Sequence, residues 1–245
     1  MSASRGWTKI VERYPTMHQR VVDELGRRIV NGLVEPDRPL PVEDALAAEL
    51  GVSRGALREA VKALAAKGML RTRPRTGTRV LTQEHWNHLD RDVLRWQLTG
   101  DPGRLLRDTG ELRRAVEPEA ARLAAGRAGP GHIRAMFDAL AAMESAAAHP
   151  GLGEYVEADI AFHRALLDAS GNRLLGSLGR AVDVALEHSF AVSSQRRGAV
   201  EASLPSHRAL AEAVAGGRPL EASAAILSII VSAEQEIARS PGLPR

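Results

Sequence analysis

Between Leu40 and Val80 the chain reads LPVEDALAAELGVSRGALREAVKALAAKGMLRTRPRTGTRV, and this stretch constrains the fold more than any other. Leu46, Ala47 and Leu50 give a first short helix an apolar side, and Gly51 supplies a tight turn. Val52 falls in that turn, where its side chain would lock two helices together. Ser53 stands where a hydroxyl accepts an orphan backbone N–H of a second helix. That second helix sorts Leu57, Val61 and Leu64 to one face and Arg54, Arg58 and Lys62 to the other. A helix that packs on a core and enters a major groove needs this division. Gly68 suits a C-cap. Residues 69–73 and 78–81 then form a hairpin around Pro74-Arg75-Thr76-Gly77. Together these elements read as a winged helix-turn-helix. It begins with a helix from His18 whose stripe is Val21, Val22, Leu25 and Ile29, and the domain spans 17–81.

Charge is segregated in the same direction. Residues 1–82 hold 15 Lys and Arg against 9 Asp and Glu, a net of +6, while the remainder is net −3. From Ser53 to Arg79 there are eight basic residues and one acid, Glu59. A basic end on an acidic body is the electrostatic footprint of a chain in which one domain binds phosphate.

The chain has 245 residues, enough for two domains with separate cores. It is 44% hydrophobic but 3% aromatic, and its Ala and Leu recur at helical spacing, so the second domain should be all-α. With no cysteine there is no disulfide framework, thiolate metal site or cysteine nucleophile. No long apolar run opens the chain, so neither signal peptide nor membrane span is expected, and a cytoplasmic location is. The expected organisation is a flexible arm over 1–16, the winged helix-turn-helix, a linker over 82–88, and an antiparallel bundle of six or seven helices over 89–240. Its helices are predicted over 90–98, 102–127, 132–148, 153–170, 174–193, 200–215 and 219–239.

These residues resemble the GntR family of bacterial transcription regulators, FadR subfamily, with its helical FCD-type ligand domain. The N-terminal resemblance rests on Leu40-Pro41-x-Glu43, Gly51-Val52-Ser53-Arg54, Leu57-Arg58-Glu59-Ala60, Leu64, Gly68 and Gly77-Thr78-x-Val80. The C-terminal one rests on Glu111-Leu112-Arg113, Glu117-Pro118, the pair Asp159 and His163, Gly171-Asn172 and His207. The segment from Trp86 to Trp96 is closest to regulators of sugar-acid catabolism.

The resemblance implies a homodimer on palindromic double-stranded operator DNA. It places Arg54 and Arg58 over base edges, Ser53 on a phosphate, and Arg75, Thr76 and Gly77 near the minor groove, with Lys62 on the same exposed face. Some members carry a DNA-contacting arginine just after the Glu of Leu-Pro-x-Glu. Here Asp44 stands there, so the operator should differ from theirs.

Asp159 and His163, four residues apart, share a helical face with Val156, Ile160 and Leu167, and His207 precedes Leu210, Ala211 and Val214 on another. Ionisable groups on buried stripes must be paired, bound to metal, or facing a cavity. A carboxylate with two imidazoles suits Zn²⁺, Ni²⁺ or Mn²⁺. The family's further histidine is replaced by Ile229, leaving three protein ligands. The resemblance to sugar-acid regulators leaves these residues to bind the metal, the sugar hydroxyls of the effector, or both, with Arg113 as the clamp for an aldonate carboxylate. Arg113 can alternatively pair with Glu117 at i+4. The expected function is a ligand-responsive repressor of a sugar-acid operon, released by an aldonate such as galactonate. The alternatives are a regulator sensing another small carboxylate or an acyl-CoA, and a metal-dependent helical-bundle enzyme. For an enzyme the chain shows no paired general acid and base, no nucleophile and no phosphate loop.

Overall fold

A computed structural model describes residues 17–74, 77–148, 152–196 and 198–240, and divides the chain into two compact units that meet between His88 and Leu89. The arm over 1–16 and the wing residues Arg75 and Thr76 lie outside the described residues.

In the first unit, α1 (Met17–Val30) packs on α3 (Arg54–Ala66), with α2 (Glu43–Leu50) beside it. Gly51, at φ 65°, ends α2, and its left-handed backbone sets the turn of the helix-turn-helix. Ser53 caps α3: its Oγ accepts from Ala56 N at 3.2 Å. The buried side of α3 is Leu57, Ala60 and Leu64. Val61, expected in that stripe, is only half-buried, and the fully buried Ala60 stands in the stripe instead. Strands β1 (Leu70–Arg73) and β2 (Gly77–Val80) pair antiparallel, Leu70 opposite Val80 and Arg73 opposite Gly77.

Residues 82–88, read from the sequence as a linker, belong to this unit. They make a 3₁₀ turn over Gln83–His85, and buried Trp86 donates its Nε1 hydrogen to Leu81 O at 3.0 Å. They close over Gly68, which has φ 75°, and a Cβ there would lie 2.0 Å from His85 O. Gly68→Ala is therefore expected to destabilise this unit by more than the roughly 1–2 kcal/mol that a left-handed L-residue costs. Urea unfolding measures it, and a variant as stable as the parent would show that 82–86 does not pack there.

The second unit holds eight helices among the described residues: α4 (Arg91–Gly100), α5 (Pro102–Arg127), α6 (Pro130–Ala147), α7 (Leu152–Ala169), α8 (Arg173–Ala181), α9 (Asp183–Ser193), α10 (Ala199–Ala215) and α11 (Pro219–Arg239). Side-chain caps start several of them: Asp90 accepts from Asp92 N and Val93 N, Asp101 from Arg104 N, and Asn172 from Leu174 N.

One helix was predicted over 174–193, and two are found. Val182 ends α8 and starts α9, with Ala185 N and Leu186 N both bonding to its carbonyl. Gly179 brings α8 so near α7 that a Cβ would meet Leu167 Cδ1 at 2.4 Å, whereas Val182 and Leu186 bury with Val156, Ile160 and Phe190.

The main core is built by α5, α6, α7, α10 and α11 around Met136, Met143, Phe162, Leu166, Leu210 and Ile226. No helix among the described residues is long and apolar enough to cross a membrane.

Candidate functional site

Three helices of the second unit converge on one point. Asp159 and His163 come from α7, His207 from α10, and Arg113 with Glu117 from α5, all nine-tenths or more buried. Asp159 Oδ1 lies 3.4 Å from His163 Nε2 and 3.2 Å from His207 Nε2. One donor atom from each of these three residues lies within 4.8 Å of the others. Yet Asp159 Oδ1 and His207 Nε2 are buried without a hydrogen-bond partner, so their approach lacks hydrogen-bond direction. Buried polar atoms left in this way call for an ion or water that they share. By its donor set the group fits a divalent metal.

The surrounding contacts orient the ligand atoms. His207 Nδ1 donates to Ser203 O at 3.0 Å, since a carbonyl only accepts, and this leaves Nε2 with its lone pair free in the neutral ring. Ser203 Oγ donates to Val200 O, so Tyr155 on α7 donates its hydroxyl to Ser203 Oγ at 2.5 Å and ties α7 to α10. His163 Nδ1 lies 2.8 Å from Glu117 Oε2, an ion-pair distance without hydrogen-bond direction, and its ring stacks obliquely on Phe190 at 5.0 Å.

Glu117 in turn accepts from Arg113 Nε at 2.8 Å, and the Arg113 guanidinium sits 4.7 Å from the centre of the Phe190 ring. Burial pushes Glu117 up, but the Arg113 and His163 charges outweigh it and hold the carboxyl at about 2. Burial likewise pushes Asp159 up, and the two imidazoles bring it well below the ordinary carboxylate range.

Of the two roles weighed from the sequence, the pair with Glu117 is the one formed, and the Arg113 side chain also lines the cavity. Its Nη2 also reaches within 3.4 Å of His163 Nε2, so arginine and an ion would compete for that nitrogen. The cavity is about 90 Å³ and runs from Asp159, His163 and His207 past Ser193, Ser203, Ser206 and Ser232 to Arg196 and Glu236. Ile229 forms part of its wall, so the position of the family's further histidine is apolar here. Glu117, Phe190, Ser203 and Tyr155 were not singled out by the sequence as site residues. A signal existed for three of them, because Glu117 is one turn from Arg113, Tyr155 one turn from Asp159, and Ser203 one turn from His207.

In the first unit, Arg54, Arg58 and Lys62 lie exposed along one side of α3, with Ser53 at its start and Gly77 exposed at the head of β2. Arg71, Arg73 and Arg79 are exposed on the hairpin. Each basic side chain on α3 meets an acid: Arg54 Nε is 2.7 Å from Asp44, Arg58 Nε 2.6 Å from Glu43, and Lys62 Nζ 2.8 Å from Glu59.

The models of two families match the chain. The bacterial regulatory proteins of the gntR family match residues 17–80, and the FCD domain matches residues 108–232, half of the chain. The chain belongs to the GntR family, in its FCD branch. This GntR-family regulator is 34% identical to the galactonate operon transcriptional repressor of Escherichia coli K12, over 89% of its own length and 95% of that protein. It is 33% identical to the HTH-type transcriptional regulator LutR of Bacillus subtilis, over 84% and 94% of the two chains. Among solved structures it is similar to the Streptococcus agalactiae GntR, with a TM-score of 0.52 and 28% identity over 89% of this chain and 99% of that one. The GntR-family protein is a ligand-responsive, DNA-binding transcriptional regulator and not an enzyme.

Proposed function

We propose that this regulator represses a sugar-acid catabolic operon and releases its operator when an aldonate such as galactonate binds beside Asp159, His163 and His207. The observation that carries the reading is the cavity. It joins a carboxylate-binding end at Arg113 and the two imidazoles to walls of serine hydroxyls, and a polyhydroxy acid presents the matching groups. Phe190, Ala199, Ala202, Ile229 and Ala233 give the cavity apolar walls as well, so it is the charged end at Arg113, Asp159 and the imidazoles that favours a hydrophilic acid over an acyl chain. The space, about 90 Å³, is also far below the roughly 300–1,000 Å³ of pockets for larger ligands. A hexonate therefore enters with movement of the surrounding side chains or helices. The effector then acts through its different affinity for the two arrangements. Similarity to the galactonate repressor supports the same substrate class.

Asp159, His163 and His207 would hold a divalent ion such as Zn²⁺, Ni²⁺ or Mn²⁺, and with Ile229 in the wall, three protein ligands leave positions for effector oxygens. Such an ion would supply an electrophilic anchor for a carboxylate. On the DNA side, Arg54, Arg58 and Lys62 face the major groove, Ser53 takes a phosphate, and Arg75, Thr76 and Gly77 approach the minor groove. Two copies reading a palindrome would space their half-sites by about one helical turn, roughly 34–36 Å.

A gel shift with the protein's own upstream DNA at fixed salt, with and without D-galactonate and related aldonates, tests this. We expect one specific complex, released by one aldonate. A specific complex indifferent to every aldonate would sink the effector assignment. Absence of any specific complex on that DNA would sink the autoregulatory operator.

A further inference from the structure

We propose that Asp44 and Glu43 are specificity-determining residues of the DNA-reading surface. They brace Arg54 and Arg58 in base-reading rotamers and withhold them from phosphate on non-specific DNA. The inference rests on the reading of α3 as the recognition helix.

Both acids stand in the first turn of α2, where the helix dipole favours a carboxylate. From there each reaches across the turn of the helix-turn-helix to one arginine of α3, Asp44 to Arg54 and Glu43 to Arg58. The shortest contact of each pair is made by Nε, an ion pair without hydrogen-bond direction at Glu43 Oε1, and the terminal guanidinium nitrogens can turn to the acceptor pair of a guanine edge. An exposed arginine otherwise samples many rotamers and must lose that freedom on binding. A carboxylate that already fixes the side chain removes part of the cost. These exposed pairs add little to folding stability, so their consequence lies in recognition.

The second consequence is electrostatic. With Lys62 beside Glu59, every basic group on the reading side of α3 has an acid next to it. That side carries little net field, and attraction to phosphate falls to the hairpin, where Arg71, Arg73 and Arg79 are exposed. Non-specific DNA offers phosphates, which the two carboxylates repel. A correctly placed guanine offers neutral acceptors, to which a braced arginine can still donate. The acids therefore weaken non-specific binding more than specific binding, and widen the ratio between them.

Full-length wild type, Asp44→Asn and Glu43→Gln are each put through selection from a randomised duplex pool. Affinities for the selected operator and for a scrambled duplex are then measured across a salt series. Asn and Gln keep the side-chain shape, and thermal melts check that each variant folds. Asp44→Asn is expected to bind scrambled duplex about tenfold more tightly. It should also lose base preference at one position per half-site, narrowing discrimination by roughly tenfold. Arg54→Ala should lose preference at the same position, with no further loss when the two changes are combined. Unchanged preference there in Asp44→Asn overturns the proposal, whatever happens on scrambled DNA. If wild type itself enriches no sequence, the recognition-helix reading fails, and the proposal falls with it by a separately visible route.

Discussion

Arg113→Ala is expected to cost the helical unit about 3–5 kcal/mol, the penalty for leaving one partner of a buried ion pair charged and alone. Each side chain of the Arg113–Glu117 pair is only 4% exposed, so little solvent screens the loss. Glu117 then keeps His163 as its neighbour but loses its permanent cation, and its carboxyl should rise from about 2 towards or above the ordinary value of 4.5. In the wild type the folded carboxyl lies below the unfolded one. The stability it contributes is therefore fully present above pH 4.5 and is lost as pH falls towards about 2. Arg113→Ala should remove this acid limb. Replacing both partners together, Arg113→Met with Glu117→Leu, should recover most of the stability, because no lone charge remains. Urea unfolding of the three variants against pH decides the matter. A loss below about 1 kcal/mol in Arg113→Ala would mean that water reaches Glu117 in the folded protein.

Asp159→Ala is expected to abolish measurable binding of Zn²⁺ or Ni²⁺, with a loss of affinity beyond 100-fold. Glu117→Gln should cost about 10–100-fold, since it leaves the three donor residues in place and changes the contact behind His163 together with the buried pair to Arg113. The two effects differ because Asp159 would supply a donor oxygen, whereas Glu117 touches the far nitrogen of a donor ring. Calorimetric titration of metal-stripped protein reads both. Thermal unfolding gives a second measure, because an ion at 100 times its dissociation constant stabilises by about 2.7 kcal/mol. Equal affinity in wild type and Asp159→Ala would remove the metal from this site and leave Asp159, His163 and His207 to hold effector hydroxyls directly.

The DNA-reading unit was legible because its signals are local. Gly51 fixes a turn, Ser53 caps α3, and Arg54, Arg58 and Lys62 share a side by helical spacing alone. The helices of the second unit were legible for the same reason, as caps and breakers such as Asp101-Pro102 and Gly171-Asn172 act within a turn of the chain. Over 174–193 local pattern failed: one helix was expected, and the chain breaks at Val182, where no side-chain cap marks the start of α9.

The sequence by itself determined which residues share a helix face, and so it paired Asp159 with His163 and Arg113 with Glu117. Only the tertiary structure decided that Glu117 backs His163, that Tyr155 ties α7 to α10 through Ser203, and that Asp44 and Glu43 meet the arginines of α3. A helix repeats every 3.6 residues, which fixes neighbours on one element. Which elements then lie against each other follows from burying their apolar sides together, and no local spacing records that choice.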